Sequence, residues 1–377
     1  QVPFTDIPIH GLIRAEDGRK MSKSLGNSVD PVELVDNYGA DPLRLALLQA
    51  AAQNQDVPYH EDWVDAARRF GNKLWNALRF AVDHVEIGKV APDGGYPDNP
   101  APADQWILSR LSAVTAEYDR YLDEYKFSDA VGLIYNFAWS EVFDWYLEMA
   151  KAPLKDEARA AATKQTLGVV LRDLLKLLHP VVPFITEELW SELVGEGLLV
   201  TANWPQPPAY EIPAGIEMLQ EHVVELRRYK AELGIGSRRI PTLVETDLPD
   251  WYVELLQDLA RTDLSTGERT EGATYGVVTG RQVVQGEAFT PGLSFPTGEV
   301  KLYVPTDGLV DREAECPRLR KAIAETEGML KATEGKLSNA NFVEKAPAEV
   351  VDKERAKAAE FTATLERLQG QLEQLGC

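Results

Sequence analysis

Gly18-Arg19-Lys20-Met21-Ser22-Lys23-Ser24-Leu25-Gly26-Asn27 is the segment from which the rest of the chain is read. It holds two lysines three positions apart, two serine hydroxyls, and glycines toward either end. Ammonium groups on oligophosphate oxygens, with hydroxyls and backbone N–H groups completing the shell, let such a loop hold a polyphosphate. A solvated lysine-bearing loop has the same composition, and the residues alone leave both readings open.

Regular structure begins immediately downstream. Asp30-Pro31 and Asp41-Pro42 each set a capping acceptor before a proline at the first helical position. Helices are therefore predicted over 31–38 and 42–53. A longer helix over 61–85 carries Phe70, Leu74, Leu78 and Ala81 on one face. Its other face offers Arg69, Asn72, Lys73, Asn76 and Arg79. After a Pro- and Gly-rich loop at 88–103, helical patterns over 104–124, 127–151, 157–179 and 184–194 predict an up-and-down bundle. Trp106, Trp139, Trp145 and Trp190 are expected in its core.

A proline-rich linker at 203–215 leads to a helix over 216–233. Short β-type runs follow at 240–245, 275–279, 282–285 and 300–304, with a helix near 250–260, and make a small α/β module. From Asp311 the apolar steps change to three and four: Leu319, Ile323, Thr326, Leu330, Thr333, Leu337, then Ala358, Phe361, Leu365, Leu368, Leu372, Leu375. Between them Ser338 to Val343 and Pro347 make a turn, so the two heptad helices are expected to fold back as an antiparallel coiled-coil hairpin.

The chain is 377 residues long, enough for more than one core, with 44% hydrophobic and 26% charged residues. No apolar run approaches the ~18–20 residues of a membrane span. Cys316 and Cys377, 61 positions apart, suggest neither a zinc cluster nor a disulfide framework and suit a reducing cytosol. His10, His60, His84, His179 and His222 show no metal-ligand spacing and are read as structural. The chain opens on Gln1 directly into Val2-Pro3-Phe4, which reads as entry in mid-domain and hence as a fragment.

Lys20 to Ser24 spells the KMSKS signature of the class I aminoacyl-tRNA synthetases, with Leu25-Gly26-Asn27 and Asp30-Pro31 continuing the match. Tyr38-Gly39-Ala40-Asp41, Leu43-Arg44, Gln55-Asp56, Glu61, the run Arg69 to Phe80, and His179 to Trp190 agree as well. With Lys336 to Phe342 in the C-terminal heptads, the whole chain resembles the C-terminal part of the valyl-tRNA synthetases. Isoleucyl and leucyl enzymes share the first signature and the bundle; a non-catalytic tRNA-binding module is the alternative of another class.

The resemblance implies a mainly α fold in four segments. Residues 1–60 are the end of a class I catalytic domain with the signature loop, and 61–203 are the anticodon-binding helical bundle. Residues 204–310 are the linker and α/β module, and 311–377 the coiled-coil tRNA-binding arm. It implies a valine–tRNA ligase that activates valine with ATP, Mg2+ accompanying the nucleotide, and charges tRNA(Val). No zinc site is expected in this segment, and a cytoplasmic monomer is. Lys20 and Lys23 take the catalytic role, stabilising charge on the departing pyrophosphate, with Met21, Ser22 and Ser24 completing the ATP loop. The HIGH-type partner signature is absent, so the chain alone is expected to be inactive, with ATP and valine bound mainly by a missing N-terminal part.

For tRNA, the resemblance points to Arg68, Arg69, Lys73 and Arg79 on the bridging helix, with Phe80 as a stacking group. On the arm it points to Arg320, Lys321, Lys336 and Lys345. Arg227, Arg228, Arg238 and Arg239 add a weaker basic signal. The net charge of −21 argues against a generic nucleic-acid binder. The arm, with 11 basic and 13 acidic residues, is close to neutral at −2; the other 310 residues hold −19. Local basic faces on an acidic background are expected to favour one shaped RNA over polyanions in general.

Overall fold

The computed structural model describes residues 3–50, 55–85, 90–232, 234–268, 275–279, 300–305, 312–339, 348–374 and 377. The chain divides into two compact units, Gln1–Ile216 and Glu217–Cys377. In the first, the order is β1 (Ile13–Arg14), α1 (Pro31–Tyr38), α2 (Ala40–Ala50), β2 (Val57–Pro58) and α3 (Glu61–Val82), then the bundle helices. These are α4 (Pro102–Asp123), α5 (Phe127–Asn136), α6 (Leu147–Ala150), α7 (Glu157–Leu178) and α8 (Pro183–Leu193). Among the described residues no helix is long and apolar enough to cross a membrane.

The Asp30 carboxylate accepts from the Val32 amide at 2.9 Å and starts α1 as its sequence predicts. Asp41 behaves differently. It lies inside the first turn of α2, buried, and does not cap that helix. Its carboxylate reaches the start of α8 instead, accepting from the amides of Phe184 at 3.3 Å and Ile185 at 2.7 Å. One turn further, Arg44 donates to the carbonyls of Pro180 and Val181. The two side chains therefore fasten α2 to the turn between α7 and α8, satisfying groups a helix end leaves open.

α3 buries Phe70, Leu74, Leu78 and Ala81, the face its periodicity predicts. The helix expected over 127–151 is one rod, but its middle, Phe137–Tyr146, is π-helical. Trp106 and Trp190 are core residues, whereas Trp139 and Trp145 are only half-buried. The Trp139 ring sits at the edge of the core, stacked toward Phe70 and Tyr135, and also carries the Lys73 ammonium, 3.7 Å from its centroid. Behind the bundle, buried Arg172 pairs with Asp173 and donates to the carbonyls of Ala91 and Gly94. Lys176 takes Pro92 and Asp93, so two buried cations with matched acceptors hold the irregular segment before α4.

The second unit contains α9 (Ile216–Glu232), β3 (Ile240–Val244), α10 (Asp250–Ala260), β4 (Thr262–Thr266), β5 (Tyr275–Thr279) and β6 (Lys301–Pro305). The strands form one sheet in the order β4-β3-β6-β5. β3 and β4 are parallel, with Ile240 opposite Thr262 and α10 as the crossover; the other pairs are antiparallel. β4 is absent from the expectation because Thr262-Asp263-Leu264-Ser265-Thr266 has no apolar alternation; at a sheet edge only Thr262 is buried. The run at 282–285 lies outside the described residues.

α11 (Arg312–Leu337) and α12 (Ala348–Gln374) pack as an antiparallel helical hairpin. Leu319, Thr326 and Thr333 of the first helix are buried against Val351, Glu354, Leu365 and Leu368 of the second. The seam thus begins earlier in α12 than the apolar steps indicate, because Glu354 occupies a seam position and pairs with Lys336 and Lys357. The two cysteines correct another expectation. The hairpin returns Cys377 to Cys316, and they form a disulfide with Cα atoms 5.9 Å apart. Antiparallel folding closes a separation of 61 residues that looks prohibitive along the chain.

Two predictions follow from these contacts. Asp41→Ala leaves two α8 amides without an acceptor and should cost about 1–3 kcal/mol, read as a lower urea midpoint. Asp41→Asn, which keeps one acceptor oxygen, should lose less. In the second unit His222 is fully buried; its Nε2–H donates to the Val300 carbonyl at 3.1 Å and its Nδ1 accepts from Tyr252 Oη at 2.6 Å. Burial holds this imidazole below its ordinary 6.5, so the unfolded chain takes a proton first. The stability advantage of wild type over His222→Gln should be full above that value and shrink as pH falls below it. Paired denaturation curves from about pH 7.5 to about pH 5.5 check the sign, the slope being at most about 1.4 kcal/mol per pH unit.

Candidate phosphate-gripping loop and nucleic-acid face

The loop at 18–27 hangs from a two-strand anchor. β1 and β2 pair in parallel, Ile13 opposite Val57. Asp56 ties them, accepting from the Leu12 amide at 2.7 Å and from the Arg14 guanidinium. The Leu12 amide first, then Arg14, hold the Asp56 carboxyl below the ordinary carboxylate range. Gly11 is required here, since a β-carbon would stand 1.7 Å from the Gln55 carbonyl oxygen. The chain then turns, the Ala15 amide donating to the Arg19 carbonyl at 2.9 Å.

The signature residues occupy a bend closed by Asn27. Its Oδ1 accepts from the Ser22 amide at 2.9 Å and its Nδ2 donates to the Lys20 carbonyl at 3.3 Å. Lys23–Leu25 form a single 3-10 turn that ends at Gly26, whose φ of 64° suits a residue without a β-carbon. Ser22 and Ser24 share a hydroxyl hydrogen bond of 2.9 Å. Met21 and Ser22 are half-buried; Lys20, Lys23 and Ser24 are exposed. Among the described residues neither lysine has a carboxylate partner, so both ammonium charges face solvent. Asn27 is the residue whose importance the motif hides: a conformationally adaptable amide, seven positions from Lys20, locks both ends of the bend.

The expected cations of α3 do not share one fate. Arg68 and Arg69 are exposed but both pair with Asp65, and Arg68 also lies 5.7 Å from the Tyr38 ring centroid. Lys73 is held by Asp144 at 2.5 Å and by Trp139. Arg79 is exposed and without an ion pair among the described residues. Phe80 is half-buried, its ring 4.6 Å from that of His84. Trp75, four positions before Arg79 and 36% exposed, lies on the same side of the helix, a placement that an aromatic within a helical run does not announce by itself.

In the second unit Arg320 is exposed and donates to the Cys377 carbonyl at 2.6 Å. Lys321 is exposed, 3.9 Å from Glu325, and Lys336 pairs with Glu354 at 3.3 Å. Lys345 lies outside the described residues. Among the described residues no group of three or more His, Cys, Asp or Glu is arranged to hold a metal ion.

Three family models match the chain in series. Residues 1–59 match tRNA synthetases class I (I, L, M and V), 104–240 the anticodon-binding domain of tRNA ligase, and 311–376 the valyl tRNA synthetase tRNA binding arm. Among curated relatives, the valine–tRNA ligase of Streptomyces coelicolor is 38% identical over 99% of this chain. Those of Nocardia farcinica and Geobacter sulfurreducens are 40% and 37% identical over 100% of it. The chain spans only 41–42% of the length of these relatives. With the arm model, the class I model and end-to-end similarity to one kind of ligase all in agreement, the chain belongs to the valine–tRNA ligase family of class I tRNA synthetases.

Proposed function

We propose that this chain is the part of a valine–tRNA ligase that binds tRNA(Val) and delivers the Lys20/Lys23 loop to ATP. The whole enzyme joins valine to ATP, releasing pyrophosphate, and then passes the valyl group to the tRNA. The observation that carries the reading is the loop: two exposed ammonium groups without a described carboxylate, on a bend locked by Asn27. Charge held ready and unneutralised in this way stabilises the negative charge that grows on a departing pyrophosphate. In this reading Lys23 is the direct phosphate ligand, Lys20 supports it, Ser22 and Ser24 supply hydroxyls, and half-buried Met21 seats the loop. Mg2+ accompanies the ATP, and the segment has no zinc.

The same reading assigns 1–60 to the catalytic domain's end, 61–203 to anticodon binding, 204–310 to linker and α/β module, and 311–377 to the tRNA-binding arm. On α3, Arg79 is the foremost phosphate or base ligand because nothing described neutralises it, and Trp75 joins Phe80 as a stacking candidate. Arg68, Arg69 and Lys73 reach RNA by exchanging their carboxylates for phosphates. Arg320, Lys321, Lys336 and Lys345 serve the arm. The enzyme works as a cytoplasmic monomer.

In the full-length enzyme Lys23→Ala should slow valine-dependent ATP–pyrophosphate exchange by about 2.7–4 kcal/mol of barrier, by analogy with a lost oxyanion donor. Its tRNA affinity should stay within about twofold, a difference of less than 0.5 kcal/mol. Normal exchange with lost tRNA binding would overturn the assignment. For the helix face, Arg79→Ala should shrink the salt slope of tRNA binding by about one, and Arg69→Ala by less, since Asp65 already neutralises Arg69. Filter binding across a potassium series reads both.

A further inference from the structure

Four consecutive carbonyls at the end of α10 are each bonded by a cation from elsewhere in the second unit. Arg227 donates to Leu259 O at 3.1 and 2.8 Å, and Lys230 donates to Ala260 O and Arg261 O at 3.1 Å each. Arg239 donates to Thr262 O at 2.8 Å. Arg261 itself bonds Ser237 O, and Arg238 bonds Ile235 O, each at 3.4 Å. Four of these cations, Arg227, Lys230, Arg239 and Arg261, thus meet at one end of the α/β module. Among the described residues their one carboxylate partner is Asp263, on Arg239. A carbonyl orients a cation without cancelling its charge, whereas a carboxylate does cancel it.

Capping a helix C-terminus accounts for some of these contacts, but not for the choice of residue at 261. Arg261 has a φ of 51°, in the left-handed region, at the position where a helix ordinarily ends on glycine. Only one other non-glycine among the described residues, Tyr125, has a positive φ. The Arg261 side chain is exposed, and its only described hydrogen bond is the long one to Ser237 O, so its packing does not explain the strain. Burial, then repulsion from Arg261, Arg239 and Arg227, lowers the pKa of Lys230, so each of the three guanidinium groups acts on the same ammonium. Arg239 is the weakest of the set for an anion: Asp263 holds it, and its other flank borders a depression lined by Asp250, Glu254 and Asp258.

We propose that Arg227 and Arg261, at the end of α10 and backed by Lys230, form a binding site for the phosphodiester backbone of the RNA. The proposal rests on the tRNA-binding reading above and adds a contact in the α/β module, apart from the α3 face and the arm. The shared chemistry with free oligophosphates is phosphate recognition by guanidinium forks.

The test uses the full 377-residue chain and bulk transfer RNA, titrated with potassium chloride. Arg261→Gly removes the charge and the left-handed strain together. It should leave the urea midpoint unchanged or raised, yet shrink the salt slope of RNA binding by about one, roughly tenfold in affinity at 0.1 M salt relative to 1 M. Arg261→Lys should restore the slope. Arg120→Gln, whose guanidinium is already paired with Glu117 and Glu124, is the control and should change nothing. An unchanged slope in Arg261→Gly, while wild type binds RNA, would reduce the cluster to a helix cap and overturn the proposal alone. No RNA binding by wild type would overturn the tRNA reading as well. Competition by inorganic triphosphate at concentrations far below those of phosphate, lost in Arg261→Gly, would assign the site to a free oligophosphate and overturn the RNA assignment.

Discussion

The carboxylate of Asp41 on the first amides of α8 joins the loop-bearing end of the first unit to its helical bulk. Burial works against this charge and pushes the Asp41 carboxyl above its ordinary value, while the Ile185 and Phe184 amides pull it back. The carboxylate is held there by what a helix start offers: open N–H groups and the positive end of the dipole. Arg44 does the complementary work one turn away, on the carbonyls that follow α7. Because α2 also packs along α3, one short helix fixes the segment carrying the loop against the helix carrying the basic face. The role proposed for the loop needs such a fixed base, since a loop's reach is useful only if its root does not shift.

That constraint was invisible in the sequence for an identifiable reason. Asp41-Pro42 has the local grammar of a helix cap, and Asp30-Pro31, with the same grammar, is one. What separates them is a partner 143 and 144 positions away, which no local pattern encodes. The buried face of α3 was legible because Phe70, Leu74 and Leu78 repeat at the helical period and pay for their own assignment by burial. The edge strand Thr262–Thr266 was not, because a strand paired on one side needs no apolar alternation. The cysteine pair failed similarly: its geometry comes from the hairpin, and spacing along the chain is a poor measure of distance once two helices fold back.

The candidate site shows the same division. Lys20, Lys23 and the serines were legible as composition, and the resemblance supplied the role proposed for them. The bend itself was not legible, because it depends on which backbone groups the Asn27 amide finds. On α3 the sequence displayed a row of like residues, and only the structure separates them by partner. Asp65 lies one turn before Arg68 and Arg69, within reach along the helix, whereas the Asp144 that holds Lys73 comes from 71 positions away.

Partner type also resolves the tension between a net charge of −21 and the nucleic-acid ligand proposed for the chain. Beyond about 8–10 Å at physiological salt, a distant carboxylate is screened and does little to an exposed guanidinium. A carboxylate in contact removes most of that guanidinium's attraction for phosphate. Arg120, between Glu117 and Glu124, contributes to the count of basic residues but little to a phosphate's binding. Arg227, bonded twice to a backbone carbonyl, contributes its full charge. The sum over the chain treats these two alike. An acidic protein can therefore bind RNA at the few places where its cations rest on carbonyls or on water, and repel it elsewhere. Such a surface rejects polyanions that do not match the spacing of those places, which a uniformly basic surface does not.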